Sequence, residues 1–100
     1  MFGLKENEIA QLKYCFSKCK EIRKAIVFGS RAMGNYKNGS DVDIALVGEN
    51  INHKTITQIL NFLEETVMPY EFDLVIFNSI KSEKLIRHID EFGIEIYSRG

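Results

Sequence analysis

The sequence has little of several things that mark whole classes of protein. In 100 residues there are one proline, two cysteines and no tryptophan. The cysteines, Cys15 and Cys19, stand four positions apart. That spacing is neither a CxxC redox motif nor half of a zinc finger, and both residues read as small core side chains of a reducing compartment. Neither sign of charge dominates: 13 Lys and Arg against 14 Asp and Glu leave a formal charge of −1. A nucleic-acid binder that works by electrostatics is basic, with a clustered patch, so nothing here points to nucleic acid as a partner. No apolar run approaches the ~20 residues that span a bilayer. The start, "MFGLKENEIA", has no signal-peptide core, so no membrane partner and a cytoplasmic location are expected. Repeats, low-complexity segments and linkers are missing too.

What the sequence does have is 45% hydrophobic residues. That suffices for a small core, and the length fits one domain over residues 1–100. Ile9, Leu12, Phe16 and Cys19 recur at helical spacing, which predicts a first helix over about 8–20 with Asn7 as its N-cap. "KAIVF" predicts a buried strand over 24–28, ended by Gly29. Residues 30–33 have room for a turn or two of helix, and "GNYKNGS" over 34–40 is a loop of turn formers. "DVDIALV" predicts a second strand over 41–47. A second long helix is expected over about 53–67, with Ile56, Ile59, Leu60, Leu63 and Val67 on one stripe and Pro69 beyond its end. "FDLVIF" predicts a third strand over 72–77. A last helix is expected over about 82–92, with Leu85, Ile89 and Phe92 inward and Gly93 just past its end; "IEIY" adds a short edge strand. Strands alternating with amphipathic helices imply an α/β (α+β) fold, a small mixed sheet with helices packed on it. His53 and His88 are far apart, lack any metal-ligating context and read as ordinary surface or half-buried side chains.

The chemistry is concentrated in "GSRAMGNYKNGSDVDIAL", residues 29–46. Side chains alternate along a strand, so Asp41 and Asp43 point to one face, their Cα atoms ~6.6 Å apart. Val42, Ile44 and Leu46 point the other way, into the core. Asp73 interrupts the third strand with matching parity, opposite Phe72, Leu74 and Ile76. If the second and third strands are neighbours, ~4.8 Å separates them and three carboxylates share one site. Carboxylates that close raise one another's pKa unless a cation neutralises them. Such hard oxygen donors suit Mg²⁺, with Mn²⁺ as an alternative, and Mg²⁺ is usually shared with phosphate oxygens. Two ions ~3.5–4 Å apart are the usual arrangement for in-line attack at phosphorus.

The Gly-Ser pair fits the same chemistry. Gly29 has no Cβ, so a phosphate can approach its backbone, and Ser30 offers a hydroxyl and an N–H at a helix start. Arg31 and Lys37 add nearby cations. The acids are thus expected to hold metal ions and the turn a triphosphate tail.

A Gly-Ser pair, ten residues, an Asp-x-Asp strand and a later "FD" strand together resemble the nucleotidyltransferase fold of the DNA polymerase β superfamily. The length is similar to that of its minimal nucleotidyltransferase (MNT) branch. The resemblance implies nucleotide-binding roles for Gly29, Ser30 and Arg31, and metal-binding and catalytic roles for Asp41, Asp43 and Asp73. Asp73 would help to activate the attacking hydroxyl. Minimal members commonly accompany a small helical HEPN protein as the antitoxin of a toxin–antitoxin pair, transferring AMP from ATP to a tyrosine of the toxin. That role is what the resemblance implies here. Two alternatives stand beside it: an antitoxin-like binding module with weak or no catalysis, and an enzyme modifying a small molecule such as an antibiotic. Larger relatives carry an extra acceptor-binding domain. At 100 residues there is no room for one, so the acceptor surface is expected from a partner or a second copy.

Overall fold

The computed structural model describes residues 1–99. Eight elements follow one another: α1 (Glu6–Ser17), β1 (Lys24–Phe28), α2 (Gly29–Met33), β2 (Val42–Val47), α3 (His53–Glu64), β3 (Phe72–Ile76), α4 (Glu83–Phe92) and β4 (Ile94–Ser98). A single 3₁₀ turn, Phe77–Ser79, leads out of β3. The four strands form one mixed sheet in the order β3-β2-β1-β4. β1 runs antiparallel to both β2 and β4, while β2 and β3 run parallel, joined by the α3 crossover. This is the α+β arrangement expected from the alternating pattern.

Strand parity decides what each face carries. Val27, Val42, Ile44 and Leu46 are fully buried on one face, against Leu12 and Phe16 of α1 and Ile59 and Leu63 of α3. Phe28 and Ala45 project to the other face, where Leu85 and Ile89 of α4 make a smaller cluster with Val75. Cys15 and Cys19 lie in the larger core as free thiols. Burial, and then the neighbouring Cys19, pushes the Cys15 thiol up to about 12, so it is not a reactive thiolate.

The helix ends differ from the sequence expectations for local reasons. α1 begins before Asn7: its cap residue is Lys5, whose N–H donates to Glu8 Oε1 at 2.7 Å. Glu8 reaching back to the N–H of the cap residue satisfies that donor and sets the cap two residues ahead of Asn7. The Tyr70 hydroxyl donates to the same oxygen at 2.8 Å. These bonds hold the Glu8 carboxyl below its ordinary range, the Lys5 backbone contact being the largest cause. A carboxylate with a depressed folded pKa contributes stability that is present at neutral pH and lost as the pH falls through that depressed value. Glu8→Ala is therefore expected to cost about 1 kcal/mol at neutral pH, with the difference from wild type shrinking in acid. Urea midpoints at the two pH extremes check this.

α3 stops at Glu64, so Val67 is not on its stripe; it is 95% exposed, and Leu60 sits at the margin at 36%. Pro69 disfavours helical backbone at Met68, and the chain leaves the helix a full turn earlier. Phe92, expected inward, is 41% exposed, because α4 docks through Leu85 and Ile89 and Phe92 is its last residue, where the chain turns into β4. β2 begins at Val42, which leaves Asp41 one residue ahead of the strand. Among the described residues no helix is long and apolar enough to cross a membrane.

Candidate active site

The register of the sheet brings the acids to the face that carries α4. Asp43 pairs with Asp73 across the parallel β2–β3 ladder, and with Phe28 across the antiparallel β1–β2 ladder. Strand β2 therefore holds Asp43 between the third acid on one side and the end of β1 on the other. Asp41 is exposed at the mouth of β2, Asp73 is exposed on β3, and Asp43 is half-buried between them. Burial pushes the Asp43 carboxyl up, and the charges of Asp73 and Asp41 push it further; His88 acts in the opposite direction. The Asp73 side chain, its partner across the ladder, adds a further small push in the same upward direction. Asp43 and Asp73 are thus cross-strand neighbours, with Asp41 near enough for its charge to be felt. Among the described residues no three His, Cys, Asp or Glu side chains close into a ligating cluster, so the three carboxylates do not converge as tightly as the strand spacing led one to expect. The donor set still fits a hard divalent cation: crowded carboxylate oxygens, one of them desolvated, are what such an ion neutralises.

The Gly-Ser turn follows β1 without a break. Gly29 has φ +74, a left-handed conformation that glycine adopts without penalty. A Cβ there would run into the Asp43 carboxylate. The glycine is thus the condition for packing the turn against the acid. α2 is a short helix that ends at Gly34, whose N–H returns to the Ser30 carbonyl. Ser30 is half-exposed at its start.

Arg31, expected among the nucleotide-binding residues, is placed elsewhere. It is 4% exposed. Its Nε and Nη2 donate to the Ser40 carbonyl at 3.1 and 2.8 Å, and its Nη1 donates to the Phe2 carbonyl at 2.7 Å. Its guanidinium lies over the rings of Tyr36 and Tyr70. These bonds tie the helix after the Gly-Ser turn to the residue just before Asp41. Lys37 is exposed in the intervening loop, where its backbone N–H donates to Ser40 Oγ.

His88, read from sequence as ordinary, belongs to the site. Its Nε2 accepts the Gly29 N–H at 2.9 Å, across 59 residues of chain. No sequence motif marks it. The only available signal is its position one residue before the buried Ile89, on a helix that must cover the sheet face opposite α1 and α3.

The profile of the family described as Polymerase beta, Nucleotidyltransferase matches residues 10–100, and the chain belongs to that family. No curated protein matches it. Among solved structures, a toxin–antitoxin with AMP-PNP contains a chain that is 23% identical, with a TM-score of 0.73 over 96% of this chain and 75% of that one. A complex of a tri-AMPylated HEPN toxin with an MNT antitoxin from Shewanella oneidensis gives 20% identity and a TM-score of 0.65 over 99% and 74% of the two chains. A nucleotidyltransferase structure from Sulfolobus solfataricus gives 18% identity and 0.56 over 92% and 79%. At these identities the likeness is one of fold, the nucleotidyltransferase fold.

Proposed function

We propose that this chain is a Mg²⁺-dependent nucleotidyltransferase that transfers AMP from ATP to a hydroxyl, most simply a tyrosine, of a HEPN-type partner protein, and acts as its antitoxin in the cytoplasm. The observation that carries the reading is the register setting Asp43 beside Asp73, one strand away from the left-handed Gly29 turn. Family membership supplies the reaction class. The AMP-PNP and AMPylated HEPN toxin in similar complexes supply the nucleotide and the kind of acceptor.

Asp41 and Asp43 would hold the Mg²⁺, which when bound neutralises phosphate oxygens and stabilises the charge that develops on the leaving pyrophosphate. Ser30 presents its hydroxyl and backbone N–H to the triphosphate, and Gly29, whose own N–H is held by His88, lets the phosphates approach because it has no Cβ. Asp73 stands on the open side of Asp43, where an incoming hydroxyl arrives. The acceptor oxygen forms a bond to the α-phosphorus, and the bond from that phosphorus to the oxygen bridging to the β-phosphorus breaks. Pyrophosphate departs, and the hydroxyl proton passes to the Asp73 carboxylate. Arg31 holds the loop that carries Asp41 and does not contact the nucleotide.

Asp73→Asn is expected to slow single-turnover transfer by roughly 10²–10⁴-fold, the usual value of general-base help, while Mg²⁺·ATP affinity changes little. Rapid-quench measurements at saturating ATP separate the two. Wild-type turnover in this variant would remove Asp73 from the chemistry.

A further inference from the structure

The helix that follows the Gly-Ser turn is too short to hold its own direction. α2 has five residues, little more than a nucleus, and its cap residue Phe28 supplies no side-chain hydrogen bond. It is tied from outside at both ends. Arg31 binds its far end to the Ser40 and Phe2 carbonyls. At its near end the His88 ring of α4 takes the Gly29 N–H. We propose that His88 is a positioning residue for the transfer reaction: through the lone pair of its Nε2 it holds the Gly29 N–H, and so sets where Ser30 and the bound triphosphate stand relative to Asp43. The proposal rests on the reading of Gly29 and Ser30 as the triphosphate turn.

Three observations carry it. The first is the need for an acceptor. Gly29 is the first residue of α2, where an N–H has no partner within its own helix, and the ladder with β2 ends one residue earlier, at Phe28. The half-buried N–H is served instead by His88 Nε2, at 2.9 Å and across 59 residues of chain.

The second is that the ring is held. Leu85 and Ile89 dock α4 on the sheet, and His88 lies between them in sequence. Its ring is flanked by Phe92 at 5.4 Å and Phe28 at 6.1 Å between centroids. A side chain confined in this way has little rotamer freedom left to lose in making the bond.

The third is that the bond leads to the acids. Gly29 packs so closely on Asp43 that a Cβ would meet the carboxylate. A shift of the turn therefore moves it against the acid assigned to the metal. An N–H can only donate, so Nε2 carries no proton and the ring proton is on Nδ1. With its lone pair engaged, Nε2 acts on the reaction through Gly29 and not as a base.

Two substitutions separate the hydrogen bond from the packing. His88→Phe keeps a ring between Phe28 and Phe92 and has no acceptor. His88→Gln gives up the ring and keeps an acceptor, its amide oxygen, at a similar reach. The readout is single-turnover AMP transfer to the partner protein at saturating Mg²⁺·ATP, on protein shown to be folded by circular dichroism. His88→Phe is expected to be slower by roughly 10-fold to 10²-fold, the upper end being the usual result of an ångström of misplacement. His88→Gln is expected to recover most of that loss. A His88→Phe variant at the wild-type rate, or a His88→Gln variant as slow as His88→Phe, would overturn the proposal. Wild type supplies a second readout that needs no substitution. Proton–nitrogen correlations of the His88 ring are expected to show a protonated Nδ1 and a bare Nε2. A proton on Nε2 would overturn the proposal and leave the proposed function standing. A wild type that transfers no AMP would instead overturn the triphosphate reading, and the proposal with it.

Discussion

Asp43→Asn is expected to abolish measurable AMP transfer and, in the same protein, to raise the melting temperature. Removing the central carboxylate takes away an oxygen donor to the metal and the charge that polarises the phosphates. Losses of ~10²–10³-fold follow from deleting a single preorganised electrostatic group, and here the loss is larger because the group also recruits the ion. The stability change has the opposite sign. Burial, then Asp73 and then Asp41, raise the Asp43 carboxyl above its ordinary range. A folded state that prefers the protonated acid binds more protons than the unfolded chain. Its stability is then highest below the unfolded pKa and declines as the pH rises through the folded one. Asparagine is neutral at every pH, so the advantage of the variant opens towards neutral pH and closes in acid. Thermal melts across that range, without divalent metal, check it. A variant that melts lower than wild type at neutral pH would show that Asp43 stabilises the fold and is not held there at its expense.

The second large effect is at Gly29. Gly29→Ala is expected to lose about 10²-fold in transfer, the usual consequence of displacing a reacting group by about an ångström. The new methyl is aimed at the Asp43 carboxylate, and the backbone carries φ +74. A left-handed residue with a side chain costs roughly 1–2 kcal/mol by itself, so stability falls as well. Gly34 separates the two causes. It has φ +83, and a Cβ there meets nothing within 4 Å. Gly34→Ala pays the same backbone strain without touching an acid, and is expected to lose stability while keeping its transfer rate. Equal activity losses in the two variants would mean that backbone strain, not the approach of the turn to Asp43, governs the site.

Period and punctuation made most of the architecture legible. The four strands and three long helices appear where alternating apolar runs and helical stripes placed them, and Gly29 to Met33 form the short helix expected after the first strand. The parity that puts Asp43 and Asp73 on one face needed only the two-residue period of a strand and the guess that β2 and β3 are neighbours, which they are. Errors came where a tertiary contact outweighed local pattern. Asn7 is a good cap by type, yet Glu8 already serves the chain at Lys5. Val67 continues the α3 stripe in sequence but lies beyond the helix end at Glu64. Arg31 next to a Gly-Ser turn suggests a phosphate ligand, but a helical step turns it towards Ser40 and Phe2. His88 was illegible because its role depends on where α4 docks, and docking leaves no mark on the sequence around a histidine.

The most direct test follows the label of ATP. The chain is incubated with Mg²⁺, a HEPN-type partner protein and ATP labelled on either the α- or the γ-phosphate. The expected result is α-label bound covalently to the partner, γ-label released as pyrophosphate, and neither outcome with Asp43→Asn. Transfer of γ-label to the partner, α-label transfer that persists in Asp43→Asn, or partner neutralisation with no label bound at all would contradict nucleotidyl transfer at this site.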